Sequence, residues 1–198
     1  MGQLIPELVK EINQIEVYPK NHRFKQLESF IIFWSKVFSN EEIFKESDYI
    51  LDFGCASGFS IFTGQLCGLD NIYGLEVDFS DNNEYFYPLM RRVSEIIGVN
   101  NKIKLYKGYG ELPFEDNTFD YIISNDAITK DMSEGQEGRA EFERMAIRIH
   151  ELNRITKPDG QWIIRPPKHI TELNNYISKL KLDSEINIVN MKSLVRGD

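Results

Sequence analysis

The stretch YILDFGCASGFSIFTGQ, residues 49–65, joins a short, apolar, β-rich run to a glycine-bearing turn and a helix-forming segment. Within seven positions it places two glycines, two other small residues and one carboxylate: Asp52, Gly54, Ala56, Ser57 and Gly58. Glycines permit backbone angles that a side chain forbids, and they let a ligand approach the backbone closely. The first N–H groups of the following helix add free donors. The sequence therefore predicts a strand–turn–helix unit that binds a ligand.

The residues around the turn restrict the kind of ligand. A dinucleotide fingerprint that starts at Gly54 requires a third glycine at position 59, where the chain has the bulky Phe59. A P-loop requires Gly-Lys-Ser/Thr, and none follows. Asp52, two residues before the first glycine, would repel a phosphate and attract an ammonium group. These features disfavour a pyrophosphate and favour a compact ligand with a cationic end.

A second acidic residue, Glu76, closes the next β-rich run, 22 residues after Gly54. A carboxylate at that strand end can accept hydrogen bonds from the ribose hydroxyls of an adenosine. A cationic amino acid joined to adenosine describes S-adenosylmethionine (SAM). The alternative is that Asp52 and Glu76 merely cap helix N-termini, which also favour negative charge.

Strand-like and helix-like segments alternate along the rest of the chain. We predict further strands over 71–77, 102–108, 119–126 and 185–195, a turn followed by a strand within 157–167, and helices over 59–69, 83–99, 138–156 and 169–180. Such alternation predicts an α/β fold: a three-layer, doubly wound, mostly parallel sheet with helices on both faces. Its ligands bind at the carboxyl ends of the strands, near the point where the strand order reverses.

A length of 198 residues suits one domain, residues 1–198, with an N-terminal helical cap over 1–46 and the sheet over 47–198. We predict a short helix over 3–16 and one or two helices over 23–46. Apolar residues recur there at helical spacing: Phe30, Phe33, Trp34, Val37 and Phe38. They either pack on the core or cover a substrate pocket.

The composition excludes several classes of partner. A net charge of −8 disfavours nucleic acid. Two cysteines, Cys55 and Cys67, form neither a disulfide framework nor a zinc site by themselves, so we expect no metal. The N-terminus has no secretory pattern, and no apolar run approaches a membrane span. We therefore expect a cytoplasmic protein with no membrane partner.

Four segments in order resemble the successive motifs of class I SAM-dependent methyltransferases. They are ILDFGCASG at 50–58, IYGLEVD at 72–78, GYGELPFEDNTFDYIISND at 108–126 and RITKPDGQWIIRPP at 154–167. The third resembles the LPFxDxxFD segment of a subgroup that acts on small molecules. The resemblance implies a Rossmann-like methyltransferase fold. It also implies methyl transfer from SAM to O, N or C of a small-molecule acceptor, with S-adenosylhomocysteine as product.

The resemblance also implies roles for individual residues. The turn would hold the methionine end of SAM, Glu76 the ribose and Val77 the adenine, with Gly110 and Glu111 at the adenine edge. The turn residues concerned are Asp52, Gly54, Cys55, Ala56 and Gly58. Asn125 and Asp126, at the end of the fourth strand, would face the methyl group.

Two residues are candidates for a catalytic role. Asp126 is either a ligand contact, a base or a helix cap. His169 follows the fifth strand, at the sheet edge where such folds carry their chemistry, and is either a base or an ordinary helix-start residue.

The chain departs from the family pattern at three places. Tyr109 and Gly110 stand where the family usually has Asp and Ala, and Lys130 stands where many members have His. Eighteen residues follow the last predicted helix, a length that at about 3.3 Å per residue suits one strand and a tail rather than two full strands of a closing hairpin. The exposed sheet edge that this leaves is usually covered or paired, and a homodimer is one way to cover it.

Two other functions remain open at this point. The first is a methyltransferase that acts on protein or RNA. The chain has SNDA at 124–127 instead of the Asn-Pro-Pro-Tyr type of segment used on planar nitrogens, and it has no basic aromatic tract. The second is a SAM-binding partner subunit without catalysis.

Overall fold

The computed structural model describes residues 27–77, 86–106, 110–125, 127–128, 139–165, 167–180 and 186–195. In these ranges the strands are β1 (Ile50–Phe53), β2 (Ile72–Val77), β3 (Ile103–Tyr106), β4 (Phe119–Asn125), β5 (Thr156–Arg165) and β6 (Asn187–Asn190). The helices are α1 (Leu27–Phe38), α2 (Phe59–Leu66), α3 (Phe86–Ile96), α4 (Arg139–Ile155), α5 (Pro167–Ile177) and α6 (Met191–Val195). Within this part of the chain, no helix combines the length and the apolarity needed to cross a membrane.

The six strands form one sheet in the order β3-β2-β1-β4-β5-β6, and every strand pair in it is parallel. The chain first winds outward from β1 to β3 and then crosses to β4 on the other side of β1. The strand order therefore reverses between β1 and β4, which is where doubly wound sheets bind their ligands. The predicted fold class is confirmed.

The sheet is covered on both faces by apolar side chains. Because side chains alternate along a strand, Ile50 and Ile123 point to one face while Leu51 and Ile122 point to the other. The first face packs against apolar residues of α1, α2, α3 and α6. The second packs against α4 and α5, including the α4 stripe of Met145, Ile149, Leu152 and Ile155. This arrangement gives the three predicted layers.

Helix α1 packs its aromatic stripe into the first core. Trp34 is 3% exposed and Val37 is fully buried. The Trp34 ring stacks on Phe38 at a centroid distance of 5.4 Å. Phe30 and Phe33 are only partly buried at the edge of this cluster. The core interpretation is thus correct for the buried residues, and the two half-buried phenylalanines are available to cover a pocket.

The predicted last strand over 185–195 is wrong in its second half. Strand β6 ends at Asn190, and α6 begins at Met191. The side-chain oxygen of Asn190 accepts a hydrogen bond from the Lys192 N–H at 3.0 Å, so it caps the helix. Met191 is fully buried in the first core. Capping and burial at this position outweigh the β propensity of the run.

Candidate functional site

Three side chains with predicted roles share one face of the sheet near the carboxyl ends of its strands. Asp52 lies opposite Gly74 of β2 and Ile123 of β4. Glu76 and Asn125 stand two residues further along those strands. Residues paired across a parallel ladder point to the same face, and residues two apart along a strand do so as well. Asp52, Glu76 and Asn125 therefore point to the face covered by α1 and α2.

The turn after β1 lies very close to the loop after β4. Gly54 has a φ of 80°, and a Cβ at this position would overlap the Cβ of Ala127. Gly58, at the start of α2, also has a φ of 80°, and a Cβ there would lie 2.8 Å from Val99 Cγ2. Both glycines are therefore required by backbone conformation and by space.

The turn is held in shape by the second acidic residue. The Ala56 N–H donates to Glu76 Oε2 at 2.7 Å, and Glu76 is 8% exposed. Ala56 has a φ of 48°, a left-handed conformation that costs a non-glycine residue about 1–2 kcal/mol. The charge-assisted hydrogen bond offsets this cost. Ala56 lies in the turn before the start of α2, so this bond does not cap a helix. The ribose contact of Glu76 stays a prediction.

Asp52 is buried with one of its carboxylate oxygens unpaired. Its side chain is 3% exposed, and Oδ2 accepts a hydrogen bond from Ser60 Oγ of α2. Among the residues that the structure describes, Oδ1 has no hydrogen-bond partner. A buried carboxylate oxygen without a donor costs free energy that an ammonium group would recover. The hydrogen bond that Asp52 accepts comes from the Ser60 side chain and not from a backbone N–H group, so this contact does not cap helix α2.

The burial of Asp52 changes its ionisation. Burial, with a smaller effect of the nearby Glu76 carboxylate, raises the pKa of Asp52 from 3.8 to about 7, although the Ser60 hydrogen bond acts in the opposite direction. Burial also raises the pKa of the Cys55 thiol well above its usual value. The Cys55 side chain packs against Gly74, so this residue contributes a neutral, buried group to the turn.

We expect the ligand-free protein to lose stability as the pH rises from about 4 to about 7. Over that range Asp52 ionises in the unfolded chain but stays protonated in the fold, so folding becomes less favourable, and above pH 7 the effect is constant. The shift corresponds to about 4 kcal/mol. Urea denaturation of the wild type and of Asp52→Asn between pH 4 and 8.5 measures it.

The comparison with Asp52→Asn isolates this contribution from other groups. The hydrogen bond from Arg154 lowers the pKa of Glu151, so Glu151 contributes stability that is lost as the pH falls through its folded pKa. That effect has the opposite sign and is present in both proteins. If the difference in unfolding free energy between the two proteins does not change from pH 4 to pH 7, the fold does not raise the pKa of Asp52.

The segment that begins at Gly110 and Glu111 is fixed by an ion-pair network from α4. Arg154 donates to the Phe114 carbonyl at 3.0 Å and to Asp116 Oδ1 at 2.7 Å. Glu151 pairs with Arg154 and accepts the Leu112 N–H at 2.7 Å. Gly110 and Glu111 themselves are exposed, at the start of this fixed segment. The network sets the course of the chain next to the predicted adenine edge.

On the other side of the switch point, β4 is tied to β1 and to its own following loop. Ser124 Oγ donates to the Phe53 carbonyl at 3.0 Å and accepts the Ile128 N–H at 3.3 Å. The buried Arg148 of α4 donates to the Ile128 carbonyl at 3.3 Å and lies over the Phe53 ring. Sequence reasoning missed both residues, although a serine and an arginine at buried positions were a detectable signal.

Several predicted sites lie outside the described residues. These are Asp126, Tyr109, Lys130 and the predicted helix over 3–16. Val77 ends β2, and His169 lies in the first turn of α5, but their side chains are also outside the described part. The roles assigned to all of these residues stay predictions. The structure does bring Asp52, Gly54, Cys55, Ala56, Gly58, Glu76 and Asn125 to one end of the sheet.

Comparison with known proteins gives one sequence relative and many structural ones. No family model matches the chain. The chain is 36% identical over 132 residues to a sterol 24-C-methyltransferase from Pneumocystis carinii, a match that covers 61% of this chain and 29% of that protein. The chain thus spans less than a third of that relative's length.

Among solved structures, the chain is similar to a candidate SAM-dependent methyltransferase from Methanococcus maripaludis, with a TM-score of 0.54 and 13% identity. That match covers 88% of this chain and 93% of the other. A SAM-dependent methyltransferase from Aquifex aeolicus matches with a TM-score of 0.47 and 16% identity, over 80% and 88% of the two chains. The chain has the Rossmann-like fold found in the Methanococcus protein.

Proposed function

We propose that this protein transfers a methyl group from SAM to a small-molecule acceptor. The observation that carries the proposal is the Asp52 carboxylate, which is buried beside the glycine turn with Oδ1 unpaired among the described residues. A buried carboxyl group at the carboxyl ends of parallel strands ionises when a cationic group binds beside it, so it is complementary to a ligand with such a group. The sterol methyltransferase relative supports the same reaction class.

Each part of SAM would have a partner in the proposed site. Asp52 would accept hydrogen bonds from the ammonium group, and the turn around Gly54 would let the methionine end approach the backbone. Glu76, already oriented by the Ala56 N–H, would accept from the ribose hydroxyls. The exposed Gly110 and Glu111 would lie along the adenine.

When bound, SAM supplies a methyl group already activated by a sulfonium. The protein has to orient the two reactants and exclude water. The half-buried Phe30 and Phe33 of α1 would provide an apolar wall for that purpose. A base is required only for an acceptor hydroxyl or a protonated amine. Asp126 and His169 are our candidates for that role.

Two observations support a small molecule as the acceptor. The sequence relative is named for a sterol substrate, and the net charge of −8 disfavours RNA.

The residues of the LPFxDxxFD segment have structural roles here. Phe114 packs edge-to-face on Phe119 at 4.9 Å, Asp116 pairs with Arg154, and Asp120 pairs with Lys157. These residues therefore shape the fold around the site.

Calorimetric titration with SAM and with S-adenosylhomocysteine tests the proposal, and we expect both to bind with one site per chain. Glu76→Gln keeps the size of the side chain but loses its charge, so binding should weaken about tenfold, the loss of one charge-assisted hydrogen bond. Replacing S-adenosylhomocysteine by its 2′-deoxy analogue should weaken binding to the wild type but hardly affect Glu76→Gln. The exposed Glu46→Gln is the matched control.

Two outcomes distinguish the competing functions. A wild-type protein that binds neither ligand contradicts the proposal. A protein that binds SAM but methylates none of a broad panel of hydroxyl, amine and carbon acceptors with labelled SAM would instead be a SAM-binding partner subunit.

A further inference from the structure

A basic side chain lies on the same face and at the same end of the sheet as the proposed SAM site. Arg165 is the last residue of β5 and pairs in register with Asn125, the last residue of β4. Asp52 is in register with Ile123, and Ile123 with Ile163, which stands two residues before Arg165. Arg165 thus lies two strands and two residues from Asp52. At about 4.8 Å per strand and about 3.3 Å per residue, their Cα atoms are roughly 12 Å apart.

Among the described residues, the partner of Arg165 is an aromatic ring rather than an acidic side chain. Its guanidinium lies over the Phe33 ring of α1, 4.9 Å from the centroid, and the residue is only half-buried. Among the described residues it forms no ion pair, whereas Arg154 pairs with Glu151 and Lys157 with Asp120. The chain carries 31 acidic and 23 basic side chains, so acids are in excess and yet no described one neutralises this cation.

The position of Arg165 suits it to bind an anion. A guanidinium that lies over an aromatic ring is restrained by the ring, while N–H groups that do not face the ring stay available as donors. The guanidinium fork matches the two oxygens of a carboxylate or a phosphate. Partial burial removes water that would otherwise compete for the same donors.

We propose that the acceptor molecule carries an anionic group, a carboxylate or a phosphate, which Arg165 binds above the Phe33 ring. This inference rests on the proposed function, because it takes the space between Asp52 and Arg165 as the place of the acceptor. The anion anchors one end of the molecule, and the methylated atom lies toward the SAM site. The acceptor therefore differs in chemistry from a neutral sterol.

The test measures the binding of three small aromatic probes by ligand-observed NMR, with and without saturating S-adenosylhomocysteine. The probes are phenylacetate, phenyl phosphate and the neutral phenylacetamide. We expect at least one anion to bind the wild type about tenfold more tightly than the amide. The two anions distinguish a carboxylate site from a phosphate site. Arg165→Gln should abolish the preference, and Arg165→Lys should retain part of it because the charge remains.

Control variants exclude effects on folding and on net charge. Lys157→Gln removes a positive charge from another residue of β5 and should leave the anion preference unchanged, and Phe33→Leu should reduce it by removing the ring. Arg165→Gln should bind SAM as the wild type does, because Arg165 is not part of the SAM site. If the wild type itself does not bind SAM, the proposed function is overturned, whatever the anion probes show. Equal affinity of the wild type for the amide and both anions, or a preference that survives in Arg165→Gln, overturns the anion site.

Discussion

Asp52→Asn should weaken SAM binding about 10- to 100-fold and at the same time stabilise the ligand-free protein at pH 8. The affinity falls because the substitution removes the anion of a charge-assisted hydrogen bond, about 1.5–3 kcal/mol. The stability rises because the ionised carboxylate is buried with Oδ1 unpaired among the described residues. An amide has almost the same shape and can still accept from Ser60.

The two effects are measured by calorimetric titration with SAM and by thermal unfolding without ligand, both at pH 8. In a chain of this size, each kcal/mol gained should raise the unfolding temperature by about 2–4 °C. The exposed Asp70→Asn is the matched control and should change neither quantity. Unchanged SAM affinity in a folded Asp52→Asn protein would place the ammonium elsewhere. A destabilised variant would mean that Asp52 has a partner in the ligand-free fold.

The opposite signs follow from what a binding site requires. A carboxylate that binds an ammonium group tightly must be shielded from water, and before the ligand arrives that shielding has no compensation. The raised pKa of Asp52, about 7, reflects this cost. Binding sites commonly reduce the stability of the fold in this way, and substitutions that remove the unfavourable buried group also remove the function.

The fold and the acidic pair were predictable because their signals are local. A β-rich run, a glycine turn and an amphipathic helix each lie within about 20 residues, and their alternation defines a doubly wound sheet. In such a sheet the first two strands are neighbours. A carboxylate at the end of each must therefore lie at the same edge, which placed Asp52 and Glu76 together.

Contacts between distant segments were not predictable from the same signals. Arg165 becomes significant only because β5 pairs with β4 in a register that sets it beside Asn125, and that register shifts between Phe119 and Tyr121. No local pattern reveals which residues of two distant strands will pair. The bond from Ala56 to Glu76 likewise depends on a left-handed alanine, which its sequence does not suggest. At Asn190, a side-chain cap ended a strand that propensity alone would continue.

Gly54→Ala should destabilise the protein by about 2–5 kcal/mol. About 1–2 kcal/mol comes from placing a side chain at a φ of 80°, and overpacking against Ala127 adds about 1–3 kcal/mol. Urea denaturation measures the loss. Gly68→Ala is the matched control, since Gly68 has a φ of 89° but a Cβ there meets nothing within 4 Å. It should show the conformational cost alone.

A second substitution separates the two costs and tests whether the turn after β1 touches the loop after β4. Ala127→Gly removes the Cβ that the new methyl group at position 54 would overlap, and the next atom, Ala127 Cα, lies at an ordinary contact distance of 3.5 Å. The double variant should therefore recover the overpacking cost and unfold much like Gly68→Ala, with a coupling of about 1–3 kcal/mol between the two sites. Additive losses would mean that the two segments do not meet. The acceptor and SAM would then lie on surfaces that move independently, and the geometry that joins them at the switch point would be lost.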